Sequence, residues 1–392
     1  MKIGYNQVCI NPTFDCLPVG FATQNTPLKN VRGDLYARCV RMKQDDKEVI
    51  LLTFDLLAIS EDIQQRIERN LRKAVGDQIT FIFSCSHTHY APSGCNALGF
   101  IKENTSYLES LDIKLLNLVR NCRMSEETDL TVSYLQENFT GVGRCRLSSG
   151  SDEFVISGVL SFFKNDLRIG NFLIYNCHPT ISAENADYLS SDYPGVALDI
   201  LKSRYPKEFF IFLQGPCGDV STRFTRKAKN YDEVIRLANE IVVSWERLLH
   251  YTPHPHPLTL DVITQRMPIS KTLKHIDLDQ LDTAHLSEKE LREIQTAVKM
   301  LERYRSVLPS LPDDVQFTRL SIGPFRLVFN PFELFSGYLQ GLDLNHNIVI
   351  CYSQGYLGYL STPGTKEISY ETMIELLNEN DKQEVCHLLA TL

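Results

Sequence analysis

The segment Ser86-His87-Thr88-His89-Tyr90 sets two imidazoles two residues apart, directly after the apolar run Ile79-Thr-Phe-Ile-Phe-Ser-Cys85. In an extended chain residues i and i+2 share a face, so both rings are expected at one spot where a strand gives way to a loop. Paired imidazole nitrogens are a common start to a metal site. Three further segments are built the same way. The run Asn171-Phe-Leu-Ile-Tyr-Asn-Cys177 ends at His178-Pro179-Thr180, Phe209-Phe-Ile-Phe-Leu-Gln-Gly215 leads into Pro216-Cys-Gly-Asp-Val-Ser221, and Phe325-Arg-Leu-Val-Phe-Asn-Pro331 ends at Phe332-Glu333. Each run delivers a ligand or nucleophile type at its end: imidazole, hydroxyl or carboxylate. Open α/β sheets assemble their sites where strands end, so the coincidence of four such ends marks the site more than any single motif does.

Other residues in these segments carry two readings. Ser221 is an acyl-accepting nucleophile if a base and an oxyanion hole lie within reach. Otherwise a metal-activated water attacks the substrate carbonyl and Ser221 binds or orients it, or simply caps its own turn. Asp192 and Asp219 are either the carboxylates that orient ligating imidazoles or ordinary turn residues. A second pair, His254 and His256, is interleaved with prolines and has no strand end nearby, so it is not read as a ligand pair. Gly215 to Gly218 lacks the Lys-Ser/Thr that completes a phosphate loop.

Strands are expected at about 48–55, 79–85, 155–163, 170–177, 208–214, 325–330 and 347–352, and residues 1–10 also read as a strand. Helical patterns run Glu61 to Val75, Tyr107 to Cys122, Tyr193 to Tyr205, Tyr231 to Leu249 and Ser287 to Val307. The alternation predicts an α/β fold with a central, mixed, largely buried β-sheet flanked by helices and the site at strand ends. Prolines break the chain at 251–257, and the charged stretch at about 270–312 reads as a helical embellishment on a single domain spanning 1–392.

With 392 residues, 43% of them hydrophobic, the chain can bury a large core, while its net charge of −8 and absence of a basic stripe argue against nucleic acid. No run approaches the roughly 20 apolar residues of a membrane span, and the strand-like start lacks a signal peptide's apolar block. Eleven cysteines at irregular spacing read as buried thiols of a reducing compartment, so the expected location is cytoplasmic.

In chain order, several segments resemble those of the neutral/alkaline, non-lysosomal ceramidases, in their zinc-containing N-terminal catalytic domain. Ile3-Gly4, Gly20-Phe-Ala22 and Tyr36-Ala-Arg38, with a strand ending at Asp55, are similar to its opening segments. Ser86-His87-Thr88-His89 with Pro92 and Gly94 resembles its Thr-His-Thr-His-Ser-Gly-Pro signature. His178-Pro-Thr180 with Ser191-Asp192-Tyr193-Pro-Gly195 resembles its second histidine segment, and Gly218-Asp219-Val220-Ser221 four residues of its Gly-Asp-Val-Ser-Pro-Asn block. Pro331-Phe-Glu333 with Ser336-Gly337, then Tyr356-Leu-Gly-Tyr359 and Tyr370-Glu371, are similar to its Pro-Gly-Glu-Phe and tyrosine-rich segments.

The resemblance implies one zinc per chain, held by His87, His178, Glu333 and Tyr359. It implies that His89 polarises a substrate amide carbonyl, that Arg144 is the active-site arginine, and that Tyr370 faces the substrate. The implied activity is hydrolysis of an amide bond in a small-molecule or lipid-like N-acyl compound, by zinc-activated water in preference to Ser221 as nucleophile. A metal-dependent esterase or lactonase, or a non-catalytic ligand-binding relative, is the alternative. Tyr90, Thr222 and Phe332 depart from the family pattern and are expected to reshape the pocket. The family's C-terminal accessory domain is not expected here, and the sequence sets no oligomeric state.

Overall fold

The structure, a computed structural model, describes residues 1–18, 20–21, 26–92, 104–147, 150–251, 255–274 and 286–392, the side chains of 289 and 290 excepted. Gly94, Ala22, His254 and residues 275–285 of the expected embellishment lie outside the described residues.

Three sheets share one plan, an antiparallel run that closes on a single parallel pair. The first orders Lys2–Cys9, Tyr36–Gln44, Lys47–Phe54 and Ile79–Cys85. The second orders His256–Pro257, Thr131–Asn138, Ile156–Lys164, Leu167–Tyr175 and Phe209–Gln214. The third orders Leu260–Pro268, Asp314–Ile322, Phe325–Phe329 and Asn347–Ile350. The mixed α/β architecture expected from the sequence is present, with its strands distributed over several sheets.

Period-two alternation explains how these sheets are covered. In Lys47–Phe54, Val49 and Leu51 face a core shared by the three sheets, while Ile50, Leu52 and Phe54 face the layer that also contains the helices. Phe209–Gln214 alternates likewise, with Phe209, Ile211 and Leu213 inward and Phe210 and Phe212 outward. Strands buried on both faces read as continuous apolar runs, which is why these were conspicuous. The covering helices bury one stripe each: Ile63, Ile67 and Leu71 of Glu61–Val75, and Leu237, Ile241 and Trp245 of Tyr231–His250. Helices Thr105–Arg120 and Asp192–Arg204 complete the covering layer beside the first two sheets.

Helix Glu288–Val307 interrupts the hairpin of Leu260–Pro268 with Asp314–Ile322, and its Ile294, Ala297, Leu301 and Tyr304 pack into the outer core. Leu260–Pro268 escaped the sequence reading because Ile263 to Arg266 are exposed and largely polar. No helix among the described residues is long and apolar enough to cross a membrane.

The three parallel pairs stop in register, at Phe54 with Cys85, Tyr175 with Gln214, and Phe329 with Ile350. Backbone bonds join them there: Cys85 N–H donates to Tyr352 O at 3.0 Å, Cys351 N–H to Gln214 O at 2.9 Å and Gln354 N–H to Phe83 O at 3.0 Å. All four motif segments leave the sheets at this junction.

Candidate metal centre

His87 leaves the first sheet in the left-handed region, with φ 64, which costs a non-glycine residue energy. The turn aims its ring inward, where Nδ1 meets Leu57 O at 2.9 Å and Tyr352 stacks on the ring at a centroid distance of 3.8 Å. His178 is fixed in the same way by Cys217 O, 2.6 Å from Nδ1. Each ring thus donates its Nδ1–H to a carbonyl and turns the unprotonated Nε2 to a common point, the arrangement of a metal-ligating imidazole.

Glu333 closes that point. Its Oε2 lies 3.0 Å from His178 Nε2 and 3.3 Å from His87 Nε2, although the latter nitrogen has no hydrogen-bond partner. Tyr359 arrives on the partner strand of a short parallel pair, Glu333–Leu334 with Tyr359–Leu360, which sets it directly opposite Glu333. Its hydroxyl is 3.4 Å from His178 Nε2. Tetrahedral zinc with bonds of 2.0–2.1 Å holds neighbouring ligand atoms about 3.3 Å apart, close to these separations. The donor set therefore fits the ion.

Electrostatics point the same way. Burial holds His178 below the ordinary imidazole range, so its ring is neutral. Burial alone would raise the Glu333 carboxyl, but the adjoining His87 and His178 rings hold it well below the usual carboxylate range. An ionised carboxylate thus lies in a dry site against two imidazole nitrogens, and a cation there would be stabilised by all three groups. Tyr359 remains a protonated phenol, because burial and Glu333 raise it more than Arg146 lowers it. A second tyrosine, Tyr356, donates a hydrogen bond to Glu333 Oε1.

His89 is a third imidazole in this cluster, with ligand atoms of His87, His89 and His178 all within 4.8 Å of one another. Both its ring nitrogens are buried and unpartnered, and Phe21 packs against the ring at 5.0 Å. Burial, reinforced by His87 and His178, holds it well below its ordinary range. Because His89 and His178 stay neutral when folded, the unfolded chain takes up protons first as pH falls through about 6.5. Stability of the metal-free protein is therefore expected to be full above that value and to decline below it, as urea midpoints between pH 8 and pH 5 would record.

The remaining expected residues are placed as follows. Ser221 is buried and forms a bridge beside His178, and its Oγ accepts the Arg223 N–H at 3.4 Å. Tyr370, half-buried at the start of helix Tyr370–Met373, sets its ring 6.2 Å from Tyr359. Arg144 is not gathered in: its side chain is 52% exposed and pairs with Asp152 at 2.7 Å. The arginine that enters the site is Arg146, which the sequence reading passed over. It bonds Gly218 O at 2.6 Å and Glu371 at 2.9 Å, lies 5.9 Å from the Tyr359 ring, and leaves its Nε buried without a partner. Burial opposes its charge, but Glu371, Tyr359 and Glu333 keep the guanidinium ionised.

Neither aspartate orients an imidazole. Asp192, pushed up to about 7 by burial, accepts the Ile181 and Tyr193 N–H groups, and Asp219 accepts the Ser336 N–H at 2.6 Å and its hydroxyl at 2.9 Å. They brace the loops after His178 and Glu333. Of the three departures from the family pattern, Tyr90 donates to Ser182 O and packs on Phe21, which in turn packs on His89; Phe332 packs on Phe317, and Thr222 is fully buried.

No protein-family model matches the chain, and no curated protein matches it. Among solved structures, neutral ceramidase from Pseudomonas aeruginosa superposes with a TM-score of 0.76 at 15% identity, covering 99% of this chain and 73% of that one. The fold is that of neutral ceramidase. A second structure of this fold, a ceramidase complexed with C2, gives a TM-score of 0.73 at 14% identity, covering 99% of this chain and 74% of that one. At such identities the neutral ceramidase fold is shared while side-chain roles are not thereby transferred.

Proposed function

We propose that this chain is a zinc-dependent hydrolase of N-acyl amides, acting on a ceramide-type lipid or a smaller analogue. The observation that carries the reading is the convergence of His87 Nε2, His178 Nε2 and Glu333 Oε2 in a buried site. His87, His178 and Glu333 would hold the ion, with Tyr359 as fourth ligand. When bound, zinc supplies a Lewis acid and lowers the pKa of a water to about 7.

The chain's own residues handle the substrate. His89, neutral and unpartnered, has one donor nitrogen to offer the amide carbonyl and one acceptor for a proton. Arg146, held charged above Tyr359, is the second donor directed at developing negative charge. Tyr370 stands edge-on beside Tyr359, where it can contact bound substrate. Ser221 is a binding residue in this reading, since its Oγ is engaged with Arg223 N–H and no imidazole bonds to it among the described residues. All described cysteines are free and all but Cys9 and Cys386 are buried, which supports a cytoplasmic location.

The decisive experiment measures metal content of the purified protein and hydrolysis of matched N-acyl amides and esters before and after chelation. About one zinc per chain and amide turnover lost on chelation are expected. Brisk ester cleavage with inert amides would favour the esterase alternative, and full amide turnover without metal would refute the proposal. The two arginines separate within the same assay. Arg146→Ala is expected to lower turnover about a hundredfold, as for loss of a donor to developing charge, whereas Arg144→Ala should stay within about twofold.

A further inference from the structure

Tyr359 stands on a strand too short to hold itself in place. Its ladder with Glu333–Leu334 amounts to Glu333 N–H donating to Gly358 O at 2.8 Å and Phe335 N–H to Leu360 O at 3.1 Å, and Gly358 and Gly364, both at positive φ, lie on either side. A side chain that ligates an ion must nonetheless be held to one geometry by its supporting bonds. Ser361, two residues on, supplies them. Its N–H and its hydroxyl both donate to Glu375 Oε2, at 3.0 and 2.8 Å, and its carbonyl accepts the Tyr338 hydroxyl at 3.1 Å.

Glu375 is held in turn by a buried lysine. Lys382, on helix Glu379–Thr391, is 1% exposed and the Glu375 side chain is fully buried. The ammonium has three donors and each finds an acceptor: Glu375 Oε1 at 2.9 Å, Ser361 Oγ at 2.9 Å and Glu379 Oε1 at 3.0 Å. Half-exposed Lys274 meets the same Glu375 oxygen from outside. Glu375 also lies two residues beyond helix Tyr370–Met373, which carries Tyr370 and the Arg146 partner Glu371. One carboxylate thus joins the strand of Tyr359 and the helix of Tyr370 to the C-terminal helix. Stability does not account for the pair, because taking two charges out of water costs about what their attraction returns, and apolar replacements of similar volume are often neutral.

We infer that Lys382 and Glu375 are positioning residues, which hold the Tyr359 hydroxyl at the metal centre and, through the next helix, Glu371 against Arg146. What the tyrosine does there rests on the zinc-hydrolase reading, whereas the clamp does not.

The test is a double-mutant cycle on the full chain, read as zinc affinity. Lys382→Met with Glu375→Gln removes both charges at similar volume and leaves an acceptor for Ser361 N–H. It is expected to weaken zinc binding about tenfold, as for loss of a group that orients a ligand, while the chelated protein melts close to wild type. In a Tyr359→Phe background the same pair of substitutions should add less than about twofold. Ser361→Ala leaves the ion pair whole and should weaken zinc binding about fivefold, which keeps the test open if the pair variant does not fold. Losses that add fully in the Tyr359→Phe background, or wild-type zinc affinity in the folded variants, would overturn the proposal. Hydrogen exchange of residues 356–364 in the chelated proteins reads the clamp without metal: it should quicken in both variants, and an unchanged rate would also overturn the proposal. Quickened exchange in a chain whose wild type takes up no zinc would support the clamp and refute the zinc reading.

Discussion

His178→Ala is expected to empty the centre of metal and to lower amide hydrolysis by at least about a thousandfold, the worth of several kcal/mol of charge stabilisation. The variant removes the nitrogen that stands 3.0 Å from Glu333 Oε2 and within reach of Tyr359. It leaves Glu333 beside a single ligating imidazole, which is too few neutral donors for a tetrahedral ion. Metal analysis and turnover should fall together, while the melting temperature of chelated wild type and chelated variant should differ far less than their zinc-loaded forms do. A variant that kept both its metal and its turnover would move the centre elsewhere.

The second large effect lies beneath the site. Arg38 Nη1 reaches both oxygens of Asp55, at 2.9 and 3.0 Å, with both side chains almost completely buried. Asp55 also accepts the Tyr36 N–H at 2.9 Å, and two residues further on Leu57 O fixes the His87 ring. Arg38→Met leaves a dry carboxylate with no cation, and removal of one partner of a buried pair costs about 3–5 kcal/mol. Urea denaturation of the chelated protein should record that loss at neutral pH, as a lower midpoint with an unchanged slope. Metal affinity should weaken as well, through the displaced Leu57 carbonyl.

Much of the architecture was legible because strands buried on both faces announce themselves as apolar runs. Ile79–Cys85 and Phe209–Gln214 lie where the hydrophobicity put them. The ligand types at their ends were legible for the same reason. The local geometry was less so. His87 and His89 were read as neighbours on one strand face, yet the strand stops at Cys85 and the rings meet edge to face at 5.0 Å through a left-handed turn. The choice between Arg144 and Arg146 was out of reach, since it depends on Asp152 pairing with one and on distant Glu371 pairing with the other. Thr131–Asn138 and the C-terminal helix Glu379–Thr391 escaped because polar residues such as Ser133, Gln136 and Glu137 in the one, and Asp381 and Lys382 in the other, dilute the periodic signal.

The stopping of three parallel strand pairs at one level has a consequence for how this protein matures. His87 leaves the first sheet, His178 the second and Glu333 the third, and the cross-sheet bonds of Cys85, Cys351 and Gln354 hold those exits together. A chain with only two sheets docked offers the ion an incomplete set of donors. In the proposed zinc enzyme, a full set of donors would therefore exist only once all three sheets have docked on one another.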